Sequence, residues 1–524
     1  MRALTTFLLA ILLTASATAQ TGPTVEEQSI DQLGEAMARG IATSEAITRA
    51  YLDRIEMMDL QGPTLRAVIA VTPDALEQAR ASDARRKAGK LLGPLDGVPI
   101  LVKDNIETSE LPTTAGSLAL RDNRTGRDAP VVAALRKGGA VILGKTNLSE
   151  WANIRAAPSL SGWSAIGGLV RNPYALDRTA CGSSSGSGAA VAASFAAAAL
   201  GSDTAGSIIC PSSMNGLVGL KPTMGMVSRT HVVPISHSQD MVGPMARSVR
   251  DAATLFAAMV AADPADPTTR EAETHKRDFA ADLSADALRG VRVAVLRPAM
   301  PAAHEAVYAQ SLAALQRAGA ILVDVEEPRL DGLFEAMVVV LHTELKADLD
   351  AYLASAPATV KTRTLAQVIA FNAAEPLEMS VIGQEIFLEA VKTTGLANPA
   401  YREARASSLR LAGAEGIDAM LQKANATILV QPSFGPAWLA DPILRDSFAG
   451  VGGSVLPAIA GYPHLTVPMG QVKGLPVGLS FIAGAWQDGA VLKAGYAFEQ
   501  ASRARVPPRY LQSADIGDGL EGVP

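Results

Sequence analysis

Along the chain, amphipathic helical stripes alternate with short, wholly apolar runs, and that alternation predicts an α/β protein. Ile30, Leu33, Met37 and Ile41 fall at i, i+3, i+7 and i+11, on one face of a helix. Ala46, Ile47, Tyr51 and Ile55 trace a second stripe, with Thr43 or Ser44 as a simple N-cap. A capping box from Ser44 is excluded, because Ile47 stands where Glu or Gln is required. A third helix is expected over 73–88. From Gly97 the pattern changes. Residues 98–102 are an unbroken apolar run of strand length, 130–137 read as helix, and 140–143 as a second buried strand. Residues 158–188 are too rich in turn formers for regular structure, and the Ala-rich run 189–200 behind them reads as a buried helix. Residues 291–296, about 301–318 and 321–325 form a strand–helix–strand unit, right-handed if its strands are parallel. Residues 330–425 read as mostly helical, a cap or bundle, before 427–430 and 477–482 return to strand. The best linker candidate is 262–267.

The first residues stand outside this pattern. Arg2 precedes an apolar stretch over 3–13, too short to span a bilayer, and Ala17-Thr18-Ala19 fits the small-x-small cleavage rule. Residues 1–19 are therefore expected to be a signal peptide, with Gln20 as the new N-terminus and a soluble, exported product, periplasmic or extracellular. No other run is long enough to cross a membrane, so no stable membrane insertion is expected after cleavage. With 48 % hydrophobic and 19 % charged residues, the composition excludes a disordered chain. The 524 residues allow one large domain or two to three ordinary ones, and 4 % aromatics leave the core to small and aliphatic side chains. A net charge of −6 argues against a nucleic-acid partner, which needs a basic footprint. Two cysteines suffice for neither a disulfide framework nor a cysteine zinc site, and neither metal nor cofactor is expected.

Two motif matches fail on physical grounds. Gly139 to Thr146 satisfies the phosphate-loop pattern letter by letter, but its central residues are Ala, Val, Ile and Leu. They read as a strand, whereas phosphate binding needs a loop of free N–H groups after the strand. Gly182 to Gly186 satisfies the nucleophile-elbow pattern around Ser184, but residues 177–181 before it are not a strand. Of the six histidines, only His231 and His237 lie near a motif-like segment.

Three other segments carry candidate chemistry. Lys103 follows directly on an apolar strand, at the strand end where open α/β sheets bind ligands. Partial burial there lowers a lysine pKa and frees a neutral amine as a base. Taken alone, the segment favours an ordinary ion pair with Asp104. Cys181 to Gly188 holds four serines and three glycines in eight residues, and the apolar run behind it argues against a flexible linker. Gly201 to Ile208 is a small-residue turn ending in Ser207, able to aim several backbone N–H groups at one spot as an oxyanion site requires. It fits a tight turn with a serine cap as well.

Together the three segments resemble the amidase signature family. Ser183 and Ser207 are 24 residues apart, as that family's loop–helix–turn arrangement needs. The similarity continues through 216–223, 243–247 and 461–463 and covers about 28–505. Within the family, segments 151–153, 161–164 and 181–186 look most similar to bacterial peptide amidases. The resemblance implies an α/β/α sandwich around a large mixed, mostly parallel sheet, with N-terminal and inserted helices. It implies one domain over 20–510, a helical insert over 330–425 and a tail over 511–524. It also implies amide hydrolysis with release of ammonia. Ser207 matches the nucleophile, Ser183 a bridging serine held by a cis peptide bond after Gly182, and Lys103 the base. The backbone N–H groups of Thr204, Ala205, Gly206 and Ser207 match the oxyanion hole. Neutral Lys103 takes a proton through Ser183 while Ser207 attacks, and water later clears the acyl-enzyme. The implied substrate is a small-molecule or peptide amide, with C-terminal peptide amides the expected class.

The chain departs from the family pattern at Cys181, Ser185 and Ala205, where Gly is common, and at Ile209, where Arg is frequent. The turn survives Ala205 if its φ stays negative. Ile209 removes a charge and argues against substrates with a carboxylate beside the scissile amide. Segments around Trp151 and Trp163 suggest a groove for an extended acyl group. Cys181 and Cys210 flank the two serine motifs and are read first as buried free thiols, with a pair formed in an oxidising compartment as the open alternative. A fatty-acid or aryl-acyl amidase, or a catalytically silent binding protein, are the alternatives. Oligomeric state is left open by the sequence.

Overall fold

The computed structural model describes residues 23–448 and 451–514, so the expected signal peptide and residues 515–524 of the expected tail lie outside the described residues. Among the described residues, thirteen strands occur in chain order: β1 (Val68–Val71), β2 (Pro99–Lys103), β3 (Val141–Thr146), β4 (Trp163–Ser164), β5 (Gly168–Leu169), β6 (Ala198–Asp203), β7 (Val218–Lys221), β8 (Met241–Ala246), β9 (Arg292–Leu296), β10 (Ile321–Val325), β11 (Ile428–Pro432), β12 (His464–Val472) and β13 (Leu475–Ile482). Eleven of them form one sheet in the order β1-β3-β2-β6-β8-β7-β12-β13-β11-β9-β10, and β4 with β5 makes a separate small hairpin. This is the large mixed sheet expected. Its parallel ladders form two blocks, β3-β2-β6 and β11-β9-β10, and the strands between them run antiparallel. Every residue of β2, β3, β6 and β13 is buried, so helices must cover both faces there.

Local chemistry explains the elements that were foreseen. The helix Ser44–Met58 starts where Thr43 Oγ1 accepts from Ala46 N at 3.0 Å. Pro130–Lys137 begins with Pro at N1 and stops at Gly138. The first stripe ends earlier than its period suggests. Its helix is Ile30–Ala38, and Ile41 beyond it is 64 % exposed. Arg292–Leu296, the helix Ala302–Arg317 and Ile321–Val325 form the expected unit with parallel strands.

Three expectations are corrected. The Ala-rich run is not one helix. The helix is Ser185–Ala192, beginning inside the serine-rich loop, and Ala198–Asp203 is the central strand β6. Small side chains suit both states, and packing decides: a Cβ at Gly201 would stand 2.8 Å from Met245 Sδ and 2.9 Å from Ser184 Oγ, so any larger residue there would force these side chains to move. Residues 158–188 accordingly hold the β4–β5 hairpin and the first helical turn. Residues 262–267 are no linker. Asp263 accepts from Ser228 Oγ at 2.6 Å and Asp266 pairs with Arg229 at 2.7 Å, and one sheet continues on both sides.

Residues 330–425 are helical as expected, with helices Leu333–Ser355, Leu365–Ala374, Glu385–Ala390, Pro399–Ala412 and Ala419–Ala424. The first three share a small core with Ala115, Leu120, Trp151 and Val233, which seats them over the segments near Lys103. Arg155 bonds Glu378 at 2.8 Å and also pairs with Glu150, which ties the insert down by buried charge. The last helix instead packs Met420, Leu421 and Ala424 on Ala294, Val325 and Leu429 of the sheet. Leu511, at the head of the expected tail, bridges to Ala175. Among the described residues no helix is long and apolar enough to cross a membrane.

Candidate active site

The end of β2 places Lys103 between β3 and β6, where its side chain is fully buried. Its Nζ donates to Ser202 Oγ at 2.9 Å and to the Ser202 carbonyl at 3.3 Å. It lies 2.7 Å from Ser183 Oγ. A neutral amine making two donations keeps its lone pair for the Ser183 proton. Burial drives the lysine pKa down from 10.5 to about 7, against the pull of Asp203 and Asp240, which favour the charged form. The ion pair with Asp104 does not form. Asp104 faces Lys145 at 3.0 Å instead, and Lys145 is the lysine of the phosphate-loop look-alike, buried within β3.

Ser183 follows a cis Gly182–Ser183 peptide bond. Its carbonyl accepts from Ser149 N at 3.0 Å, and a Cβ on Gly182 would run into Ser149 Oγ, so glycine is needed there. The neighbouring Ser184 N donates to Ser207 O at 3.2 Å and joins the serine loop to the turn. That turn is built around Asp203, the last residue of β6. Its carboxylate accepts from Gly206 N at 2.7 Å, Ile208 N at 2.7 Å and Ile209 N at 3.4 Å. Gly206 has φ +118, and a Cβ there would press on Ser454 Cβ at 3.1 Å and Phe434 Cζ at 3.2 Å. Ala205 keeps its φ out of the positive range, as a side chain there requires.

Ser207 is half-buried, and among the described residues its hydroxyl has no hydrogen-bond partner. Of the four backbone N–H groups expected as oxyanion donors, that of Gly206 donates to Asp203 Oδ1 at 2.7 Å. Those of Thr204, Ala205 and Ser207 donate to no acceptor among the described residues. Thr204 is also held from the other side. Its Oγ1 donates to Asp240 at 2.6 Å, and its carbonyl accepts from Gln239 Nε2 at 3.2 Å. Burial pushes the Asp240 carboxyl up to about 6. No histidine among the described residues bonds Ser183, Ser184 or Ser207; His237 turns to Asp348 at 2.9 Å.

The reading of the cysteines as free thiols is overturned: Cys181 and Cys210 form a disulfide with Cα atoms 5.9 Å apart. They are 29 residues apart in the chain, and the loop–helix–turn between them brings its own ends together. The bond links the serine loop to the helix that follows Ser207. Ile209 is fully buried in an apolar wall with Phe434, Ala437 and Met245. Trp151 and Trp163 are core residues rather than groove walls. Trp151 stacks edge-on with Phe387 at 5.8 Å, and Trp163 lies buried beside Ile382.

Sequence reasoning missed the supports of the lysine. Ser202 and Asp203 sit inside the small-residue segment 201–208, so the sequence shows their position but not their role. Asn105, which donates to Ser202 Oγ at 2.9 Å, and Asp240 had no local signal.

Comparison with known proteins identifies the family. A family described as Amidase matches residues 46–492. The native peptide amidase of Stenotrophomonas maltophilia is 47 % identical, with a TM-score of 0.88 over 93 % of this chain and 99 % of its own. An amidase family protein from Bacillus anthracis is 34 % identical, with a TM-score of 0.84 over 93 % of each chain. A probable amidase of Arabidopsis thaliana is 36 % identical over 93 % of this chain and 92 % of its own length.

Proposed function

The chain belongs to the amidase signature family and is an amide-hydrolysing enzyme, and from that premise we propose that it removes the C-terminal carboxamide of peptides through Lys103, Ser183 and Ser207. The observation that carries the reading is Lys103 Nζ, wholly buried and 2.7 Å from Ser183 Oγ. The amine takes the Ser183 proton as Ser183 takes that of Ser207, whose oxygen bonds to the carbonyl carbon. The free N–H groups of the 204–207 turn receive the developing oxyanion. The protons return through Ser183 to the leaving nitrogen, and water then hydrolyses the ester.

Peptide amides are favoured by the similarity to a peptide amidase and by the buried apolar Ile209, which offers no partner to a carboxylate near the scissile bond. Export is part of the same proposal. The form of residues 1–19 supports it, and so does a disulfide, which persists in oxidising compartments.

The test is ammonia release from a neutral dipeptide amide beside cleavage of the same dipeptide extended by one residue. Only the amide is expected to turn over, and Ser207→Ala is expected to abolish that turnover. Equal cleavage of both substrates, or cleavage of long-chain fatty amides alone, would overturn the assignment.

A further inference from the structure

Beside the lysine lies a small internal space of about 10 Å³, bounded among others by Asn105, Ser202, Thr204, Val232 and Asp240. That is room for about one molecule of the size of water or ammonia. Asn105 is 2 % exposed and spends its amide N–H on Ser202. Its Oδ1 is buried and, among the described residues, has no hydrogen-bond partner. Leaving such an acceptor empty costs about 1–3 kcal/mol, so the site calls for a small donor. Asp240 on the same wall already accepts from Thr204 Oγ1 and from the Ile235 and Ser236 amides, so Asn105 Oδ1 is the acceptor left open there.

The space has a second neighbour. Arg229, Val232 and Asp240 also line a surface cleft of about 290 Å³, together with His237, Asp266 and Asp348. These shared side chains are the wall between the two. Arg229 is pinned there by a fork onto Asp266, at 2.9 and 2.7 Å. In the cleft Asp266 pairs with Arg229 and Asp348 with His237, and the Asp240 carboxylate remains as the charge in excess, a lining that favours a departing cation over an anion.

We propose that the internal space receives the ammonia expelled from the scissile amide and that the acidic cleft is its way out. The inference rests on the amide-hydrolysis reading above. When the Ser207 Oγ–carbon bond has formed and the carbon–nitrogen bond breaks, the nitrogen keeps its two hydrogens. It gains a third from the Ser183 hydroxyl, which Lys103 replenishes with the proton it took during attack. In reverse, ammonia attacks the acyl-enzyme, gives one proton through Ser183 to Lys103, and Ser207 leaves with that proton restored. A receiving site of this size accepts ammonia and excludes larger amines, so it selects primary amides.

The experiment supplies a peptide methyl ester, which loads Ser207 without releasing ammonia. Ammonia and methylamine compete with water for the acyl-enzyme at equal free-base concentration, and the amide and acid products are separated and counted. Ammonia is expected to be used at least about tenfold better than methylamine, although methylamine is the stronger nucleophile. Val232→Ala, which widens the space, is expected to bring the two within about threefold. Equal use of both amines by the unaltered enzyme, a preference for methylamine, or hydrolysis alone would overturn the proposal, as would an unchanged ratio in folded Val232→Ala. The unaltered enzyme decides the matter if that variant does not fold. Failure to turn over both the ester and the dipeptide amide would instead overturn the hydrolase reading, and this inference with it.

Discussion

Lys103→Met tests whether the base is stored at the expense of stability. Folding lowers this lysine from 10.5 to about 7, which at neutral pH amounts to a destabilisation of about 5 kcal/mol. Methionine is of similar length and carries no charge to desolvate, so the variant recovers most of that. It strands the hydroxyls of Ser183 and Ser202, at about 1–3 kcal/mol each. The net expectation at pH 7 runs from about 1 kcal/mol lost to about 3 kcal/mol gained, while kcat falls by about 10²–10⁴-fold for want of the base. The pH dependence carries a definite sign. Between pH 7 and 10.5 the unfolded chain holds the proton that the folded chain has lost. Wild-type stability therefore rises relative to the variant by about 1.4 kcal/mol per pH unit in that window, and below pH 7 the difference is flat. Urea denaturation at pH 7, 8, 9 and 10 measures this, and the same pKa makes wild-type kcat/KM fall about tenfold per unit below pH 7. Wild-type stability that stays level or falls relative to the variant across pH 7–10 would refute a buried neutral lysine, because a charged, ion-paired lysine behaves that way.

Two further outcomes are expected. Cys210→Ser, or reduction of the wild type, removes a crosslink closing a 29-residue separation and costs about 3–4 kcal/mol, read as matching shifts of the urea midpoint. N-terminal sequencing of the protein from its native host should begin near Gln20, and an intact Met1 would remove the export reading.

Much of the architecture was legible because its causes are local. The apolar runs at 98–102 and 321–325 are strands, and Pro130 and Gly138 mark one helix at its two ends. The three candidate site segments stood out through dense small and hydroxyl residues beside apolar runs. The Ala-rich run was misread because alanine packs in helix and strand alike. Only the sheet, with Met245 and Ser184 closing on Gly201, makes 198–203 a strand. The 2.7 Å approach of Lys103 to Ser183 spans 80 residues of chain, and the Cys181–Cys210 bond closes only because the intervening helix turns back. Asn105, Ser202 and Asp240 acquire their roles from the same convergence. The chain itself determined which side chains were on hand. The tertiary structure decided which lost their water and what replaced it, and desolvation is what turns an ordinary lysine into a base at neutral pH.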